Sequence, residues 1–159
     1  MSTTPVTISF QAVDRSYANV GQPISISGKA LPSSVSIQDN TTSISYNTAL
    51  GEFIDLPIAL KRKLELKWDI LSGSQVNALY YTGLLTLIKS ARSRYFKITT
   101  SGSNDIVNKL QAIGSSNIFY LGTPVTFNRI GENGTTTYYS GELHFIQVIG
   151  DVLNDQVGT

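Results

Sequence analysis

Apolar and charged residues alternate along residues 60–70. Leu60, Leu64, Leu66, Trp68 and Ile70 share one parity, and Lys61, Lys63, Glu65, Lys67 and Asp69 take the other, with Arg62 the single exception on the dry side. An antiparallel strand with one solvated face produces this pattern, and slipping its register by one residue would bury five charges. The reading is a strand whose dry face is anchored by Trp68. Shorter alternations at 5–13, 20–28 and 33–38, bounded by Gly and Pro, predict three earlier strands. The polar stretch 39–57 has no clear period. It reads as a long loop, of the kind that carries function or orders against a partner.

At residue 72 the period changes. Ser72 followed by Gln75 matches a capping box, with Leu71 and Val76 placed as a hydrophobic staple. Val76, Leu79, Tyr80, Gly83, Leu84, Leu87 and Ile88 recur at helical spacing and predict an amphipathic helix over about residues 72–90. Its far end is basic, with Lys89, Arg92 and Arg94 where the helix dipole favours cations. A strand at 94–100 follows, then a short helix over about residues 103–113 ending at Gly114. The chain closes with a strand at 117–130 broken at Gly-Thr-Pro, a turn at 131–134, a returning strand at 135–150 and a tail at 151–159. This order predicts an α+β fold in one domain, residues 1–150. It is mainly an antiparallel β-sandwich or squashed barrel with one packed amphipathic helix and a short second one.

Composition narrows the functional classes. A chain of 159 residues is long enough for a real core, and only 14% of it is charged, against about 25% in typical soluble domains. Net charge is +1, so no bulk field points to nucleic acid or an acidic membrane. The absence of cysteine removes disulfides, thiolate metal sites and cysteine nucleophiles. The first residues lack the basic and apolar regions of a secretory leader. The longest apolar patch, ALYYTGLLTLI, is too short to span a bilayer, so a soluble chain is expected.

Reactive groups are sparse. His144 is the single histidine, on a strand face shared with Glu142, and no nucleophile elbow accompanies it. The carboxylates are scattered without calcium-loop or helix-pair spacing, and no phosphate-binding glycine pattern occurs. The expectation is no catalytic residue, no metal and no cofactor.

Charge is segregated instead. Residues 61–97 hold eight basic side chains against two acidic ones, +6, and the remainder holds four against nine, −5. A solvated sheet face plus a basic helix end accounts for this, and so does complementarity between identical subunits. The second reading names Lys61, Lys63, Lys67, Arg92 and Arg94, opposite Glu52 and Asp55, as candidate subunit-interface residues. Nucleic-acid recognition is the weakest reading, because the cluster is not interleaved with exposed aromatics in a recognisable module. Tyr138 and Tyr139 take opposite strand faces, so at least one is expected to be exposed or at an interface.

Over residues 24–149 the chain resembles a family of small tail-module proteins of long-tailed bacteriophages. The likeness runs from GKALPSSVSIQD through NTALGEFIDLP and LKRKLELKWDILSGSQVNAL to RYFKIT, with NIFYLG and YYSGELHFIQV in the place of the closing strands. ALKRKLELKWDILSGSQVNAL is the nearest part. Two departures are an N-terminal extension with its own strand and the insertion SNDIVNKLQAIG. The resemblance implies a structural virion protein of a tail tube, distal tail or baseplate. It would form rings or stacked rings, hexameric in such families, alongside other tail proteins. DNA would pass through the lumen without specific recognition, and the protein would reside in the virion after assembly in the host cytoplasm. It implies no catalytic residue. The alternative is a carbohydrate- or partner-binding β-sandwich module of a receptor-binding assembly, using an exposed tyrosine such as Tyr138 or Tyr46.

Overall fold

The computed structural model describes residues 5–111, 118–148 and 151–152; the side chains of 40–44, 46, 54–60 and 151–152 are not described. Among the described residues, nine strands form one antiparallel sheet: β1 (Thr7–Val13), β2 (Ile24–Ser27), β3 (Ser34–Asn47), β4 (Phe53–Ser72), β5 (Tyr95–Ser101), β6 (Ile118–Leu121), β7 (Thr126–Asn133), β8 (Thr136–Gln147) and β9 (Asp151–Val152). The main path is β2-β1-β5-β6-β8-β4-β3, with β7 added to β8 and β9 to β4.

Consecutive strands β2 and β3 lie at opposite ends of that path. Laid flat, six strand spacings cover about 29 Å. Residues 28–33, part of them in a 3₁₀ turn, reach about 25 Å at most. The sheet must therefore curl, and side chains confirm that it does. Phe10 of β1 stacks on Phe145 of β8 with ring centroids 5.8 Å apart, although two strands separate them in the sheet. Trp68 of β4 donates its indole N–H to the Ala30 carbonyl, beyond β2, at 2.7 Å. The result is the expected α+β, barrel-like fold.

The interior follows from strand parity. Leu64, Leu66 and Trp68 of β4 are buried with Ile8, Phe10, Phe96, Ile98, Phe119, Leu121, Leu143 and Phe145. The parity fails at the end of β4. The β4–β8 register shifts between Trp68 and Leu71, so Leu71 is buried and Ile70, expected on the dry face, is 56% exposed. A bulge inserts one extra residue and reverses the faces beyond it.

Gly73–Val76, Asn77–Leu84 and Leu85–Ala91 run on as one helix, α1, with a π-helical middle. Its start is the capping box read from Ser72 and Gln75: the Ser72 hydroxyl accepts from the Gln75 N–H, and the Gln75 side chain accepts from the Ser72 N–H at 2.9 Å. Gly83 permits the wide turn. A Cβ there would lie 2.3 Å from the Ala78 carbonyl oxygen and 3.0 Å from Ile24 of β2. A second helix, α2 (Asp105–Gln111), buries Val107 and Leu110. It starts two residues later than expected, and its expected end at 113, with Gly114, lies outside the described residues.

Three boundaries change. The expected loop 39–57 is instead the far half of a hairpin, because β3 and β4 stay paired from Ser34↔Lys67 out to Asn47↔Phe53. The Thr, Ser, Ile and Tyr residues of 41–46 suit a strand, and backbone pairing needs no apolar period. The turn expected at 131–134 sits later, since Asn133 pairs with Thr136 around Gly134, at φ +65°. Finally, the first two residues of the expected tail pair with Ala59 and Leu60 as β9.

Candidate functional site

The outer faces of β4 and β8 carry the main cluster of ionisable groups. Register places Glu65 opposite His144 and Lys67 opposite Glu142. The His144 Nε2 lies 3.1 Å from a Glu142 carboxylate oxygen, and its Nδ1 lies 3.7 Å from Glu65. The Glu142–His144 pairing was legible from strand parity. Glu65 was not, because only the β4–β8 register brings it there.

Both imidazole nitrogens face carboxylates, and only the Nε2 contact is within hydrogen-bond distance. The cluster borders a cleft of about 610 Å³ that also meets Lys63 and Pro124. Glu65, Glu142 and His144 offer three donor atoms within 4.8 Å of one another, so they could hold a divalent ion if the imidazole released a carboxylate. As it stands, the group satisfies itself as a cross-strand charge cluster.

The hydrogen bond from His144 is the first cause holding the Glu142 carboxyl below its ordinary range; desolvation opposes it, while the charge of His144, a hydrogen bond with Glu65 and the charge of Lys67 assist it. A depressed carboxyl stabilises the fold above its unfolded-state value, and that contribution is lost as pH falls through the lower folded-state value. With the Glu142 side chain 43% exposed, solvent screening keeps the contribution under about 1 kcal/mol. His144→Ala is expected to raise the Glu142 pKa toward 4.5, read by a side-chain carboxyl NMR titration. An unmoved Glu142 titration would show that the bond is not made in solution.

The seven candidate interface residues do not form one surface. Lys61, Lys63 and Lys67 are exposed on the outer face of β4, where Glu65 and Glu142 offset the last two. Arg62, the exception on the dry side, is half-buried and lies 3.4 Å from Asp39 of β3. Arg92 and Arg94 lie elsewhere, at the end of α1 and the start of β5, separated from β4 by β6 and β8. Glu52 is in the hairpin turn, where its N–H meets the Thr48 hydroxyl at 3.1 Å. Asp55 pairs with Ser45 along the backbone, and its side chain lies outside the described residues, as does that of Tyr46. Tyr138 and Tyr139 are both half-buried, so neither ring is fully exposed in the single chain.

The hairpin tip is the feature that charge counting missed. Leu50 is 96% exposed and Phe53 is 65% exposed. Residues 43–57 pair only across the hairpin among the described residues, since β9 reaches Ala59 and β8 reaches Lys63. They form a two-stranded arm with an apolar tip. No protein-family model matches this chain, and a search of curated proteins likewise finds no match.

Proposed function

We propose that the chain is a structural virion protein of a bacteriophage tail, in the tube, distal tail or baseplate, that assembles with copies of itself into a ring. The observation that carries this reading is the β3–β4 arm with Leu50 and Phe53 at its tip. An isolated two-stranded hairpin is marginal in water, and apolar side chains at such a tip find burial only against another surface. β3 supports the reading further. It is a 14-residue edge strand that pairs only with β4 among the described residues, and an edge of that length invites another chain. The resemblance of residues 24–149 to phage tail modules, and the poverty of reactive groups, point the same way.

The mechanism is assembly. The arm lies on a neighbouring copy, the β3 edge is covered there, and the rim charges Lys61 and Glu52 set polarity and salt sensitivity. Other tail proteins would bind above and below a ring, hexameric as in the families it resembles, with DNA passing through its lumen. The virion is then its final location, after assembly in the host cytoplasm.

Mass photometry across protein concentration and salt tests this. Closed rings or tubes that loosen as salt rises are expected. A chain that stays monomeric at the highest attainable concentration overturns the proposal.

A further inference from the structure

Away from β4 and β8, the fold gathers three arginines and three tyrosines around the end of α1. Arg15, Arg92 and Arg94 border a cleft of about 480 Å³ whose wall includes Tyr95 and Tyr120. Arg15 and Arg92 also border an adjoining hollow of about 450 Å³. The tyrosines form a row. Tyr17 lies 6.1 Å from Tyr95 between ring centroids, and Tyr95 lies 6.2 Å from Tyr120, its cross-strand partner on β6. Tyr17 and Tyr120, at the two ends, are each 37% exposed.

The backbone is held to make this arrangement. Tyr17 (φ +67°) and Arg92 (φ +54°) are the two described residues other than glycine with positive φ. Such conformations cost energy and concentrate where a site is shaped. The Asp14 carboxylate accepts from the Ser16 and Ala18 N–H groups at 2.8 and 3.1 Å, which fixes the turn that presents Arg15 and Tyr17. The Ser93 hydroxyl donates to the Val13 carbonyl, tying the end of α1 to that turn. Arg94 donates Nε–H to the Leu121 carbonyl at 2.7 Å, which orients its guanidinium.

Neither the Arg15 nor the Arg92 guanidinium has an ion-pair or hydrogen-bond partner among the described residues. Asp14 borders the hollow, but its carboxylate serves backbone amides. Three permanent cations beside a row of rings suit a ligand that carries both anionic groups and flat faces.

We propose that this cleft binds single-stranded nucleic acid without sequence preference, with the arginines holding phosphates and the end tyrosines stacking on bases. An acidic peptide would use the arginines and leave the tyrosine row idle. A duplex keeps its bases stacked on one another, out of reach of the rings. Linear sequence hid the site because Arg15, Arg92 and Tyr120 come from three separate segments. The proposal is independent of ring assembly and holds for a monomer.

The test is fluorescence anisotropy of the full chain with labelled oligothymidylate between about 50 and 200 mM salt. Binding that weakens with salt is expected. The double variant Arg15→Ser, Arg92→Gly is expected to lose at least about tenfold in affinity and to flatten the log–log salt slope by about 1.4, two phosphate contacts' worth. Glycine suits the positive φ at 92, so this variant keeps its fold. Tyr120→Ser is expected to lose about fivefold or more with the slope unchanged, and Lys29→Ser, far from the cleft, to bind as the parent does. No binding at low salt overturns the proposal. So does polyglutamate binding as tightly as oligothymidylate, or a Tyr120→Ser variant that binds like the parent.

Discussion

Trp68→Ala is expected to cost about 3–5 kcal/mol, the range for truncating a buried large aromatic side chain. Trp68 is 1% exposed and is the largest fully buried side chain. Its position makes the high end of that range the sensible expectation. The ring fills the core from β4, and its N–H closes the curl by reaching the Ala30 carbonyl at 2.7 Å. Removing the indole leaves a cavity and deprives a part-buried carbonyl of its donor. A domain of this kind holds about 5–15 kcal/mol in total, so the variant is left marginal or unfolded. Trp68→Phe separates the two losses, since it keeps most of the volume and removes only the donor. Guanidinium unfolding should place it between the parent and Trp68→Ala with a similar slope. If Trp68→Phe matches the parent, the indole N–H does not help to close the sheet.

The same residue shows what linear pattern can establish. The alternation around Trp68 and the Ser72–Gln75 box are local signals, each fixed by neighbours a few residues away, and both read correctly. Ile70 shares the parity of Trp68 and was expected beside it. It is exposed because the register shift lies in the pairing with β8, and one strand's own sequence carries little sign of it. Residues 39–57 failed for a different reason. A two-stranded arm has no core face, so its strands show no apolar alternation, and cross-strand hydrogen bonds hold them without leaving a periodic trace.

The candidate sites divide along the same line. Glu142 and His144 stand two apart on one strand, and their pairing was legible. Glu65 needed the register of β4 on β8. The grouping of basic residues at 61–97 by charge count suggested one face, yet the curl of the sheet sends Lys63 and Arg94 to different places. Local counts cannot anticipate a separation that the strand order creates.

The second large effect concerns the arm. Replacing Leu50 and Phe53 together by aspartate is expected to abolish assembly while leaving the monomer intact. Both side chains are mostly in water in the isolated chain, so their loss removes little burial from the fold. In an assembled ring each would be covered, and burying such a side chain contributes about 1.5–3 kcal/mol. Losing both therefore weakens every subunit contact by at least about a hundredfold, before the cost of desolvating two carboxylates. A closed ring repeats that loss at every interface, which makes the transition sharp. The variant should unfold at the parent's denaturant midpoint and remain monomeric in mass photometry where the parent forms rings. Should the unfolding free energy fall by about 1 kcal/mol or more, the tip packs within its own chain and the arm is part of the fold. Rings that form unchanged would instead place the subunit contact elsewhere, with the β3 edge and the rim charges as the surfaces to alter next.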